Sequence, residues 1–167
     1  MRAQCLFTVA LLFCRSLDSQ TPDSYNVPDP VRADLSRPGF DRRYKLIADL
    51  NPFYLRGHFD GDGLPDYAFL VTDSSSQRGI AVWLSSRPKA RFQILGAGIP
   101  FQYGSGKSAN LDFNTWQVYG KRVVEQGASE EKPPRLIGEA IQVEVKESAG
   151  GLIYWTGRAF AWYQQGD

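Results

Sequence analysis

The residues best equipped for chemistry lie together in one stretch, Gly57-His58-Phe59-Asp60-Gly61-Asp62-Gly63-Leu64-Pro65-Asp66. Its core reads D-x-D-G-x-x-D, and acids set so close repel one another unless a cation or a good solvent shell offsets them. The spacing aims the carboxylates of Asp60, Asp62 and Asp66 at a common point. The backbone carbonyl of Leu64 adds a further oxygen, and Gly61 and Gly63 permit the dihedrals that curl the loop around it. A hard cation taking about six to eight oxygens suits that donor set, with water completing the shell, so Ca2+ is the expected metal, well ahead of Mg2+. The other reading is a plain Asp/Gly turn between two strands, although such a turn does not require the third acid at Asp66. The loop is not an EF-hand, which needs a bidentate Glu at its twelfth position and flanking helices.

A strand pattern follows the loop at once, at 67–72 (YAFLVT), and another at 79–84 (GIAVWL), with a polar connection between them that predicts a hairpin. Further strands are expected over 91–95, 113–119, 140–146, 152–155 and 158–163, the last two joined through Thr156-Gly157. In 140–146, Ile141, Val143 and Val145 alternate with Gln142, Glu144 and Lys146, which predicts one buried and one wet face. Pro22, Pro28, Pro30 and Pro38 mark 20–43 as an extended lead-in, with room for one short helix over 30–35. The charged stretch 121–135, with Pro133-Pro134, reads as a surface loop. The expected fold is therefore mainly β: a small, single-domain, antiparallel sheet or sandwich-like domain over 44–167, with at most one short N-terminal helix.

Residues 1–19 read as a secretory signal peptide: Met1-Arg2, an apolar run from Cys5 to Cys14, then polar residues from Arg15. The run is too short to span a bilayer, so no membrane span is expected after cleavage, and the mature chain is expected to be periplasmic or secreted. Both cysteines lie in this segment, which leaves the processed protein without a thiol. Cleavage also removes Arg2, Arg15 and Asp18 and leaves acids and bases in balance. With 22% charged residues and a formal net charge of +1 for the whole chain, there is no general field to draw in nucleic acid or an anionic membrane.

The acid-glycine loop resembles the calcium loop of FG-GAP and VCBS repeats. More closely, Leu55 to Val71 (LRGHFDGDGLPDYAFLV), Gly79-Ile80-Ala81-Val82, Leu95-Gly96-Ala97-Gly98, Leu152-Ile153-Tyr154-Trp155 and Phe160 to Asp167 resemble small exported bacterial proteins of that type without an assigned activity. The resemblance covers roughly 45–167 and implies a fold and a metal, not a reaction. It also implies an acid two residues before Asp60, where this chain has His58, and imidazole is a poor ligand for a hard cation. Either water replaces the missing carboxylate, or packing alone holds the loop. A propeller needs at least about four blades of about 40 residues, so a complete propeller is excluded.

Other signatures fall away on inspection. Gly106-Lys107-Ser108 lacks the first glycine of a P-loop, and Gly96-Ala97-Gly98 lacks the third glycine of a dinucleotide fingerprint, since Phe101 stands at both places. Both stretches read as loops. His58 is the only histidine and no G-x-S-x-G is present, so no nucleophile comes with an activating base. Glu139, Glu144 and Glu147 are carboxylates that could face a glycosidase-like cleft as a pair, although Glu144, on a strand, is expected to point to solvent. No enzymatic activity is expected. The favoured function is an exported calcium-binding β domain with a structural metal, serving as a protein or cell-envelope interaction module. One alternative is a glycan-binding module with a platform made from Trp83, Trp116, Trp155 and Trp162. The other is a periplasmic inhibitor that inserts a loop such as 96–110 into a partner enzyme.

Overall fold

The structure, a computed structural model, describes residues 26–89, 91–127, 130–146 and 150–166. The expected signal segment 1–19 lies outside them. Helix α1 (Asp29–Leu35) precedes the strands β1 (Tyr44–Leu46), β2 (Tyr54–Gly57), β3 (Asp66–Asp73), β4 (Arg78–Trp83), β5 (Phe92–Gly96), β6 (Phe101–Tyr103), β7 (Gly106–Ser108), β8 (Thr115–Tyr119), β9 (Ala140–Glu144), β10 (Gly150–Trp155) and β11 (Phe160–Gly166). The mainly β, antiparallel expectation is met.

Strand β3 organises the first sheet, because its central residues are apolar on both faces and all of Asp66 to Val71 is buried. It pairs with β4 along one edge and with β2 and then β1 along the other, while β4 pairs onward with β5. The second sheet runs β11-β10-β9-β8, and β6 with β7 forms a separate hairpin. Period-two alternation then builds the sandwich. Leu55, Ala68, Leu70, Ile80, Val82 and Leu95 from the first sheet meet Trp116, Ile141, Val143, Ile153 and Trp155 from the second in one core. The predicted alternation in 140–146 places Ile141 and Val143 in that core.

Both outer faces are covered as well. Against expectation, the described part of the lead-in is packed rather than extended. Val27 and Val31 lie on Tyr67, Phe69 and Trp83, and Phe40 lies on Val71 and Ala81. The 121–135 stretch likewise does more than cross the surface. Val124, together with Leu136 just beyond it, packs on Tyr119, Ala140, Leu152 and Tyr163 of the second sheet. The physical reason is the same in both places: strands buried on their inner face still carry bulky apolar residues outward, and chain on either side must shield them.

Four short strands, β1, β2, β6 and β7, were not expected. The stretch 96–110, expected as loop, contains the β6–β7 hairpin, anchored by Phe101 in the core and by Tyr103 against the Trp162 ring at 4.8 Å. The β10–β11 connection spans the four residues Thr156 to Ala159 rather than the Thr156-Gly157 pair, since Trp155 faces Phe160 in the register.

Candidate functional site

The acid-glycine loop joins β2 to β3, so its two ends are fixed by strand pairing from Tyr54↔Phe69 to Gly57↔Asp66. Gly61 and Gly63 have φ of 79° and 85°, the left-handed conformation the sequence led one to expect of them. Within this frame each acid has a partner. Asp66 is fully buried; its Oδ2 accepts from the backbone N–H groups of Phe59 (2.9 Å) and Asp60 (3.3 Å), and its Oδ1 from Ser85 N–H (3.0 Å). Burial pushes the Asp66 carboxyl up to about 6; the neighbouring Asp60 adds to the rise, and the Ser85, Asp60 and Phe59 amides oppose it. Asp60 Oδ1 accepts from Asp62 N–H (3.2 Å), and its Oδ2 accepts from the Ser86 hydroxyl (2.7 Å) and lies 4.0 Å from Arg87 Nε. The Arg87 guanidinium in turn stacks on Trp155, 4.6 Å from the ring centroid. Asp62 Oδ1 accepts from Leu64 N–H (2.7 Å).

His58 completes the loop in a way the sequence did not reveal. Its Nδ1 lies 2.9 Å from the Leu64 carbonyl oxygen. A carbonyl can only accept, so this nitrogen carries the proton. The His58 backbone is clasped to the second sheet: its N–H donates to Glu139 Oε2 (2.7 Å), and Glu139 N–H donates to the His58 carbonyl (2.9 Å). The clasp requires Gly138, where a Cβ would come within 2.6 Å of the Phe59 carbonyl oxygen and 2.7 Å of Gly61 N, and closer still to the His58 carbonyl. Those contacts are to backbone and cannot be relieved by a rotamer change. Gly138→Ala is expected to cost about 3 kcal/mol, read as a fall of several degrees in Tm.

The sequence-level ligands Asp60, Asp62, Leu64 and Asp66 are thus neighbours, but their oxygens turn to protein partners rather than to one another. Among the described residues no three acid, His or Cys side chains converge as a metal site would require. The donor set fits calcium poorly in this arrangement: the Leu64 carbonyl shares its oxygen with the His58 N–H, and the Asp66 carboxylate spends three of its acceptor sites on backbone N–H groups. Of the three glutamates from which a glycosidase-like cleft could draw its pair, Glu139 serves the clasp, Glu144 accepts from Gln142 Nε2 at 2.5 Å, and Glu147 lies outside the described residues. The rings proposed for a glycan platform are in the fold: Trp83, Trp116 and Trp155 are buried, and Trp162 packs against the central core.

A second feature is a cleft of about 440 Å³ between the lead-in and β5. Phe40, Phe92 and Ile94 contribute its apolar lining, and Arg37, Arg43, Lys89 and Arg91 its basic one. The single acid in the lining, Asp34, is buried, with Oδ1 2.9 Å from Arg37 and Oδ2 accepting from Trp83 Nε1 (2.8 Å) and lying 3.3 Å from Arg91. Arg43 and Lys89 have no ion-pair partner among the described residues. Sequence reasoning missed this cleft. The signal present was the basic run Arg37-Pro38-Gly39-Phe40-Asp41-Arg42-Arg43, whose meaning depends on the lead-in being packed against β5.

Comparison of the chain with protein-family models, with curated proteins and with solved structures found no match in any of the three.

Proposed function

We propose that this chain is an exported binding domain, and that its partner is an acidic protein segment received in extended form beside β5. The observation that carries the reading is the basic cleft on a sheet edge that no described strand pairs. Among the described residues, strand β5 has β4 as its only neighbour in the sheet. Leu84 N–H donates to Arg91 C=O, and Ala97 N–H to Arg78 C=O, so the odd-numbered residues of this segment face β4. The N–H and C=O groups of Phe92 and Ile94 therefore point away from the sheet. Three consecutive β5 residues, Phe92, Gln93 and Ile94, line the cleft, which places that edge inside it. A strand added there would gain main-chain hydrogen bonds, and acidic side chains on it would meet Arg43 and Lys89. The export signature in the sequence supports an envelope or extracellular setting for the partner.

The test uses fluorescence anisotropy with labelled peptides of about eight residues alternating Val with Glu, Gln or Lys. The Glu peptide is expected to bind most tightly and to weaken with added salt. The double variant Arg43→Glu with Lys89→Glu is expected to weaken it at least about tenfold, with folding stability changed by no more than about 0.5 kcal/mol. Equal binding of the three peptides overturns the reading. Binding of an acidic polysaccharide such as polygalacturonate, with no peptide binding, also overturns it and assigns the basic cleft to an anionic glycan instead.

A further inference from the structure

We infer that the acid-glycine loop is closed by the His58 side-chain proton where a calcium loop would be closed by its cation, so that the native chain takes no calcium there and needs none. The Leu64 peptide is pinned from both sides. Asp62 accepts its N–H at 2.7 Å, and His58 Nδ1 donates to its carbonyl at 2.9 Å. That carbonyl is the neutral oxygen of the candidate donor set. A polarised N–H aimed at it takes one of its two lone pairs and places partial positive charge beside it, which disfavours a cation at the same oxygen.

Asp60 and Asp66 are engaged with the protein as well. Asp60, whose side chain is 4% exposed, accepts the Ser86 hydroxyl on Oδ2, with Arg87 Nε 4.0 Å from the same oxygen. It therefore has a cationic neighbour supplied by the protein, held in place by its stacking on Trp155. Asp66 uses both oxygens on backbone N–H groups of the loop and of Ser85. What a calcium ion would do for such a loop, joining its first residue to its seventh and offsetting its acids, is done here by His58 and Arg87. The Glu139 clasp on the His58 backbone fixes the ring's starting point, so the bond to Leu64 spans a short and well-defined gap.

The inference predicts that one substitution turns the loop into a calcium site. His58→Asp removes the competing N–H and puts a carboxylate beside the freed Leu64 carbonyl, in a loop already carrying Asp60 and Asp62. Thermal melts of the full mature chain, after chelator treatment, are compared without metal, with about 10 mM calcium and with about 10 mM magnesium. The native protein is expected to be unmoved by either ion. His58→Asp is expected to melt below the native protein in chelator and to gain roughly 3–10 °C with calcium alone, the range for sites of about 10⁻⁴ to 10⁻³ M affinity. A calcium-specific rise in the native protein that disappears in Asp62→Ala overturns the inference, as does a folded His58→Asp that ignores calcium. Should His58→Asp fail to fold in either condition, His58→Gln and His58→Ala decide. Gln can still donate to Leu64 and is expected to stay near the native Tm without regard to calcium, whereas Ala is expected to lose several degrees. An Ala variant as stable as the native protein overturns the inference.

Discussion

Replacing Asp66 with Ala is expected to remove about 4 kcal/mol of stability, a fall of roughly 10 °C in Tm for a domain of this size. The carboxylate is fully buried and is the acceptor for three backbone N–H groups, those of Phe59, Asp60 and Ser85. Alanine leaves those donors without an acceptor where the two sheets meet, and each buried unsatisfied donor costs about 1–3 kcal/mol. The effect has a pH signature with a definite sign. Burial holds the folded-state value at about 6, above the ordinary 3.8, so between the two the folded chain binds this proton more tightly than the unfolded one. Asp66 thus contributes most below about pH 4, and that contribution is lost as pH rises through about 6. Urea melts at about pH 5 and about pH 7 are expected to show the gap between native protein and Asp66→Asn wider at the lower pH by about 1.5 kcal/mol. A gap that narrows toward pH 5 would mean that the amide donors outweigh burial.

The second large effect concerns the lead-in. A chain beginning at Tyr44 is expected not to reach the native state, as judged by loss of near-ultraviolet circular dichroism and by binding of a hydrophobic dye. Val27, Val31 and Phe40 are buried against the outer face of the first sheet. At about 1.5–3 kcal/mol for each buried apolar side chain, their removal approaches the total stability of an ordinary domain, about 5–15 kcal/mol. It would also expose Phe69 and Trp83 from strands already buried on their other face. A gentler variant isolates the cause. Val31→Asp places an unpaired carboxylate at a position with no solvent exposure and is expected to cost about 4 kcal/mol. The exposed neighbour Ala33→Asp, with the same change of charge on the same helix, is expected to cost less than about 1 kcal/mol.

The long elements could be read because their sequences carry a period. β3 and β4 declare themselves by β-branched and aromatic runs on either side of a polar turn, and β9 by the alternation of Ile141 and Val143 with Gln142 and Glu144. Three- and four-residue strands such as β1 and β6 are too short to show a period, and their pairing depends on residues distant in the chain, as Tyr44 on Asp73. The loop's glycines were legible for the same local reason: a positive φ is a demand on one residue. The partners of its acids were not. Ser85 and Arg87 lie some twenty residues on, and Glu139 about eighty, so their meeting with Asp66, Asp60 and His58 exists only once the sheets have formed. The cleft was hidden by a second step of the same kind, because proline-rich composition says how a segment bends but not what it lies on.

The first sheet is complete by Gly96 and the second does not begin until Thr115. Each layer of the sandwich is therefore one uninterrupted half of the polypeptide, and the core between them has the construction of an interface between two subunits. Nicking the exposed Ser105 would separate the halves covalently while leaving every strand pair of both large sheets within a single fragment. Each fragment would then present an apolar face that only the other can cover, and the Glu139 clasp would become a bond between chains. The protein is thus laid out as a pair of complementing fragments that happen to be translated as one.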